Sequence, residues 1–180
     1  MTEEYFFDTD CISAFLWVRD ESILAKLYSG RIILPAQVYN ELQKVPHLWE
    51  RIETLKKNGD LLVESMEVDS SEYYDYVKMT TKPDSGMKII GSGEAAAIAM
   101  VKERGGVLAS NNLRDVSGYV SKYGLRHITT GDILLEALEQ EIITEAEGNC
   151  IWANMIRKRR RLPTSTFTEY KKMENKRNGR

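Results

Sequence analysis

The stretch FFDTDCIS, residues 6–13, decides how the whole chain is read. An aromatic pair, Phe6 and Phe7, runs straight into Asp8, Thr9 and Asp10, and apolar residues then resume at helical spacing through CISAFLWV. A short buried strand followed at once by a helix accounts for this pattern. Asp10 stands where an N-cap would accept from the free amides of the first turn. That leaves Asp8, at the end of the strand, to be either a turn residue or a ligand for a cation.

Working outward, helical patterns alternate with brief apolar runs. Residues 21–29 read as a helix closed by Gly30, residues 32–34 as a strand, and Pro35 opens a helix that runs to Gln43. A helix over 47–58, a strand over 61–66 and a helix over 69–80 follow, then a loop over 81–91 rich in turn residues. The second half gives an Ala-rich helix over 92–104, a strand over 107–110, a helix over 112–122, a strand over 127–129 and a helix over 131–139. A longer helix over 144–160 turns basic and is broken at Leu162-Pro163, and the polar residues beyond it are expected to fray. This order predicts an α/β fold with a central parallel sheet of about five short strands. In such sheets ligands sit outside the carboxyl ends of the strands, where the strand order reverses.

At 180 residues and 42% hydrophobic content the chain is sized for one domain with a real core. The acidic start MTEEYFF is not a signal sequence, and no run is long and apolar enough to span a membrane, so a cytoplasmic location is expected. Cys11 and Cys150 are too few for a disulfide framework or a zinc site. The net charge of −2 hides an asymmetry: residues 1–156 carry −10 and residues 157–180 carry +8. An acidic body with a basic end is suited to a polyanionic partner, although basic residues also complement the dipole of a helix C-terminus. Trp17, Trp49 and Trp152 sit at helical spacing and are read as core or dimer-interface residues.

Three further acids fall where helices leave the predicted strands. Glu41, in LPAQVYNEL, borders the stripe marked by Val38 and Leu42. Glu94, in GSGEAAAIA, falls in a first turn that Ser92 would cap. Asp115, in LASNNLRDV, comes three residues after the expected cap Asn112. Each has an ordinary local explanation. If all four acids converge, their like charges need compensation, and an oxygen-rich site without Cys or His suits Mg²⁺ or Mn²⁺.

In their order and spacing over residues 4–140, FFDTDCIS, LPAQVYNEL, GSGEAAAIAMV, LASNNLRDV and HITTGDILLEAL together resemble the PIN-domain nucleases. The resemblance implies a three-layer α/β/α sandwich, with a PIN-like domain over residues 1–143 and residues 144–180 as an appended helix and basic tail. It implies a catalytic set of Asp8, Glu41, Glu94 and Asp115, with Mg²⁺ or Mn²⁺ on Asp8, Glu94 and Asp115. Thr9, Ser110 and Asn112 become groups that position phosphate or the metal's surroundings. The activity implied is hydrolysis of RNA to a 3′-hydroxyl and a 5′-phosphate, in a toxin or stress nuclease restrained by an antitoxin-like partner. Arg157, Lys158, Arg159, Arg160 and Arg161 are read as the segment that binds the nucleic acid, and a homodimer is expected. One departure stands out: the Gly-Glu-Ala-rich branch of that family has paired acids where this chain has Asn111-Asn112. It keeps open a catalytically silent nucleic-acid-binding or regulatory module. A DNA nuclease using the same acids is a further alternative.

Overall fold

Three-residue strands can anchor a domain only if both of their faces are covered, and here they are. The computed structural model describes residues 3–177 and Gly179. Five strands, β1 (Tyr5–Phe7), β2 (Ile32–Pro35), β3 (Leu61–Glu64), β4 (Val107–Ala109) and β5 (Arg126–Ile128), form one sheet in the order β3-β2-β1-β4-β5. Every pairing is parallel. Successive side chains leave a strand on opposite faces. Tyr5, Phe7, Ile32, Leu34, Val107 and Ala109 therefore enter one core, and Phe6, Ile33 and Leu108 enter the other. Burial on both sides explains why these strands read as unbroken apolar runs rather than as alternation.

The helices between them are α1 (Thr9–Val18), α2 (Ser22–Tyr28), α3 (Ala36–Gln43), α4 (Pro46–Lys57), α5 (Ser71–Thr81) and α6 (Ser92–Arg104). The second half adds α7 (Leu113–Tyr123), α8 (Thr130–Glu139), α9 (Glu145–Arg157) and α10 (Phe167–Arg177). Helices α5, α6 and α7 pack on the face that receives Phe6, and α1, α2, α4, α8, α9 and α10 contribute to the other core, giving a three-layer α/β/α sandwich. The alanines of α6 are all fully buried, so small side chains let this helix lie close to the sheet.

Several expectations at helix ends are corrected. Asp8, not Asp10, caps α1: its Oδ1 accepts from the Cys11 amide at 2.8 Å. The amide of Asp8 still bonds across to Ala109, so the helix begins with no intervening turn and the cap falls two residues early. In α6 the capping position belongs to Gly91, whose amide donates to Glu94 Oε2 at 3.1 Å, while the Ser92 hydroxyl meets that of Tyr76. Asn112 occupies the N-cap position of α7, but its side chain makes no cap bond.

The largest correction concerns the C-terminal segment. The helix expected over 144–160 stops at Arg157, because Arg159 adopts a left-handed conformation (φ 60°). The Arg159 and Arg160 amides close the helix onto the carbonyls of Ile156 and Met155, a Schellman-type stop. The residues expected to fray instead form α10, with Phe167 and Tyr170 buried. Two glycines make room for them: a Cβ on Gly148 would overlap the Phe167 ring, and one on Gly131 would overlap Tyr170. Trp152, fully buried, donates from its indole nitrogen to the Thr164 carbonyl at 2.9 Å, and Tyr170 donates to Asp132 at 2.9 Å. Trp17 and Trp49 are half-buried. We expect Gly148→Val to cost about 2 kcal/mol or more in urea unfolding, because Phe167 must leave its seat and overpacking costs are of that order. An unchanged midpoint would show that α10 is not held there.

Candidate metal and phosphate site

Strand order reverses between β1 and β4, which sit side by side but lead their chains to opposite halves of the sheet. The register pairs Phe7 with Ala109, so the next residues, Asp8 and Ser110, emerge together at the carboxyl ends. Both are completely buried. Asp8 spends one carboxylate oxygen on the cap, while its Oδ2 and the Ser110 hydroxyl have no hydrogen-bond partner. Burial pushes the Asp8 carboxyl up to about 7; the nearby Ser110 side chain and the Cys11 amide oppose this shift, and the charges of Asp10 and Glu94 add to it.

The other acids reach the same end of the sheet from three helices. On α6, Glu94 bonds the Gly91 amide with one oxygen and the Asn112 side-chain amide with the other, at 2.6 Å. The same Asn112 nitrogen donates to Asp115 Oδ2 at 2.8 Å, so a neutral amide bridges the two carboxylates. Asp115 also faces Lys88 at 3.7 Å. On α3, Glu41 accepts from the Thr9 hydroxyl. This pair can form only because Gly93 lacks a side chain: a Cβ there would stand 2.7 Å from Thr9 Oγ1 and 3.2 Å from Glu41 Oε2. Asn111 is committed to structure, with its amide holding the backbone and hydroxyl of Thr130 at the start of α8.

Two recesses run along this end. One of about 280 Å³ is lined by Thr9, Asp10, Glu41, Glu94 and Arg160. The other, about 710 Å³, brings Asp10, Glu94, Asn112 and Asp115 opposite Lys88, Arg114, Arg159, Arg160 and Arg161. Asp10, Glu94 and Arg160 belong to both. The structure thus brings Glu94, Asp115 and Asn112 together, sets Thr9 with Glu41, and holds Asp8 with Ser110 out of solvent beside them. Of the basic segment, Arg159, Arg160 and Arg161 line the acidic cleft, whereas Lys158 lies over the Trp17 ring and Arg157 lines a separate recess beside it. Arg160 pairs with Asp10 at 3.5 Å and also covers Trp17.

Sequence reasoning missed Gly93, Lys88 and Arg114 as parts of the site, and gave Asp10 only a lesser share in it. The second carboxylate of FFDTDCIS signals Asp10, whose main role by local pattern, the cap, belongs instead to Asp8. Gly93 stood in GSGE with no mark of its own, and Lys88 and Arg114 carried no signal beyond charge.

The donor set can be tested against a hard divalent cation. The acids offer only oxygen donors, and Asp8 Oδ2, next to the charge of Glu94 and the Ser110 hydroxyl, has no hydrogen-bond partner of good geometry among the described residues. The fit is at Asp8 and Glu94; Asp115 is turned toward Lys88 and Asn112. Among the described residues no three acid, histidine or cysteine side chains are gathered into a metal-holding group.

A family model described as PIN domain matches residues 4–175. The chain belongs to the PIN-domain family, a group that generally consists of nucleases, and its sandwich is of the nuclease type. A search of curated proteins finds no match. Among the described residues no helix is long and apolar enough to cross a membrane.

The raised pKa of Asp8 makes a prediction about stability. The folded state holds this proton more tightly than the unfolded chain, so its contribution is fully present below about pH 4 and is lost as pH rises toward 7. Asp8→Asn should therefore melt higher than wild type at pH 8, by an amount on the order of 4 kcal/mol at most. The two proteins should converge near pH 4. Equal melting temperatures at pH 8 would mean that the buried charge is already compensated.

Proposed function

We propose that the protein is a metal-dependent endoribonuclease. The observation that carries this reading is the buried, unpartnered oxygen of Asp8 at the switch point of the sheet, close enough to feel the charges of Asp10 and Glu94, which line a cleft rimmed by arginines. Asp8 and Glu94 would hold Mg²⁺ or Mn²⁺, and Asp115 would join them on turning from Lys88 and Asn112. Such an ion supplies charge neutralisation at the phosphate and makes water nucleophilic near neutral pH. Glu41, steadied by Thr9, orients the attacking water. The Ser110 hydroxyl and the Asn112 amide position phosphate oxygens or the acids around them.

Arg114, Arg159 and Arg161 line the cleft with no hydrogen-bond or ion-pair partner for their guanidinium groups among the described residues. Unpaired guanidiniums facing an acidic floor favour a ligand that is both polyanionic and bound through a cation. Arg159 carries a further cost. It sits in a left-handed position that glycine would occupy without strain, which supports a role for its side chain beyond ending the helix. Restraint by an antitoxin-like partner rests on the family analogy, a homodimer on the general prevalence of twofold dimers, and a cytoplasmic setting on the two isolated cysteines and the acidic start.

A second reading has its own observation. The Asn112 side-chain amide, a neutral donor, ties up one oxygen each of Glu94 and Asp115, which supports a silent module that binds nucleic acid and does not cut it. A DNA nuclease would use the same phosphate chemistry.

The deciding experiment is cleavage of a mixed pool of single-stranded and structured RNA, with a matched DNA pool, in Mg²⁺ or Mn²⁺. Wild type should cut RNA, and Asp8→Asn should lose at least a hundredfold in rate, on the order of removing a group that stabilises transition-state charge. RNA binding without cutting in either metal selects the silent module, and preference for DNA selects the third reading. Separately, Arg159→Gly should gain about 1 kcal/mol of stability from relief of the left-handed strain while binding RNA more weakly and with a shallower salt dependence. Unaltered binding would remove Arg159 from the phosphate contacts.

A further inference from the structure

A second cavity, about 820 Å³, opens beside the acidic cleft, between the carboxyl end of β5 and α10. It lies within the size range of small-ligand sites. The two spaces share Asn111 and Arg161 as lining residues, so Arg161 stands at the boundary between them. The charges inside the cavity are otherwise spent. Asp132 accepts from the Thr129 amide and hydroxyl and from Tyr170, and Arg177 pairs with Glu174 at 3.1 Å. Arg161 is the one charge lining the cavity that has no partner among the described residues. Beyond it the walls include Leu113, Leu162, Pro163 and Met173, and Leu113 is half exposed. His127 is tied through Nε2 to the Ser110 carbonyl at 2.8 Å, and among the described residues its Nδ1 has no hydrogen-bond partner.

A single free positive charge at a shared boundary, with apolar walls behind it, matches one phosphate followed by one nucleoside. Resting on the ribonuclease reading, we infer that this cavity is a substrate subsite. It takes the nucleotide adjacent to the one at the acids, with its phosphate on Arg161 and its base and sugar against Leu162, Pro163 and Met173. A strand free of its complement lays a single base into such a cavity without the cost of unpairing it, so the subsite favours single-stranded RNA. The hairpin between α9 and α10 supplies both the phosphate contact and one apolar wall. Catalysis and selection of the strand thus reside on different parts of the chain.

The test measures binding by the full protein in EDTA, where cutting is not needed. The probe is a short fluorescein-labelled single-stranded RNA, read by anisotropy, with its duplex as comparison. Met173→Trp and Leu162→Trp fill the cavity from two walls, and Arg161→Gln removes the boundary charge; melting curves confirm that each is folded. Each filling variant should weaken binding of the single strand by about five- to tenfold, the order expected for one packed base, and leave duplex binding unchanged. In wild type, photocrosslinking of an RNA carrying 4-thiouridine should map to residues 161–174. Wild-type affinity in both filling variants, with crosslinks confined to other segments, overturns the subsite; if wild type still cuts RNA, the ribonuclease reading survives. Binding that depends on the cavity in a protein that never cuts RNA keeps the subsite and overturns the ribonuclease reading. Equal weakening of single strand and duplex overturns the selection of single strands.

Discussion

The parallel pairing of β1 with β4 is the constraint on which everything else rests. These strands, three residues each, are distant in sequence and meet at the centre of the sheet. Their contact closes a loop of about a hundred residues, which carries an entropic cost that only burial on both faces offsets. Phe6, Phe7, Leu108 and Ala109 supply that burial, each with no exposed surface. The same pairing places Asp8 beside Ser110, because the chain leaves both strands at matched heights. Core and site are therefore one construction. A sheet that forms must bury a carboxylate, and the energetic penalty for doing so is carried by the aromatic residues that precede it.

Around this buried acid the protein keeps opposite charges close without letting them cancel. Asp10 meets Arg160 and Asp115 meets Lys88, but at 3.5 and 3.7 Å in a cleft open to solvent these are weak pairs. Asn112 separates Glu94 from Asp115 with a neutral donor, so the two acids are held in place with less mutual repulsion than an acid at position 112 would create.

Much of this was legible in the sequence, and for a physical reason. Short strands buried on both sides and helices with strong stop signals leave marks in composition, and the order of FFDTDCIS, LPAQVYNEL, GSGEAAAIAMV and LASNNLRDV fixed which acids to inspect. What was not legible depends on contacts between distant residues. Whether Asp8 or Asp10 caps α1 turns on the hydrogen bond from Asp8 to Ala109, a hundred residues away. The docking of α10 depends on Gly148 and Gly131 leaving space for Phe167 and Tyr170, and nothing in a polar segment announces that its two aromatics have seats elsewhere. The direction of Arg159, Arg160 and Arg161 toward the acids follows from the left-handed turn at Arg159, where composition favours no such residue.

The hairpin that carries those arginines is fastened on both sides, by α9 on α1 and by the Phe167 and Tyr170 anchors of α10. The second fastening comes later in the chain than every acid of the site. A chain emerging from the ribosome can thus assemble its sheet and bury Asp8 before the arginines acquire a fixed position, since the segment that pins them is still to come. In chain order, every acid of the cleft therefore precedes the aromatic pair that fastens its basic half.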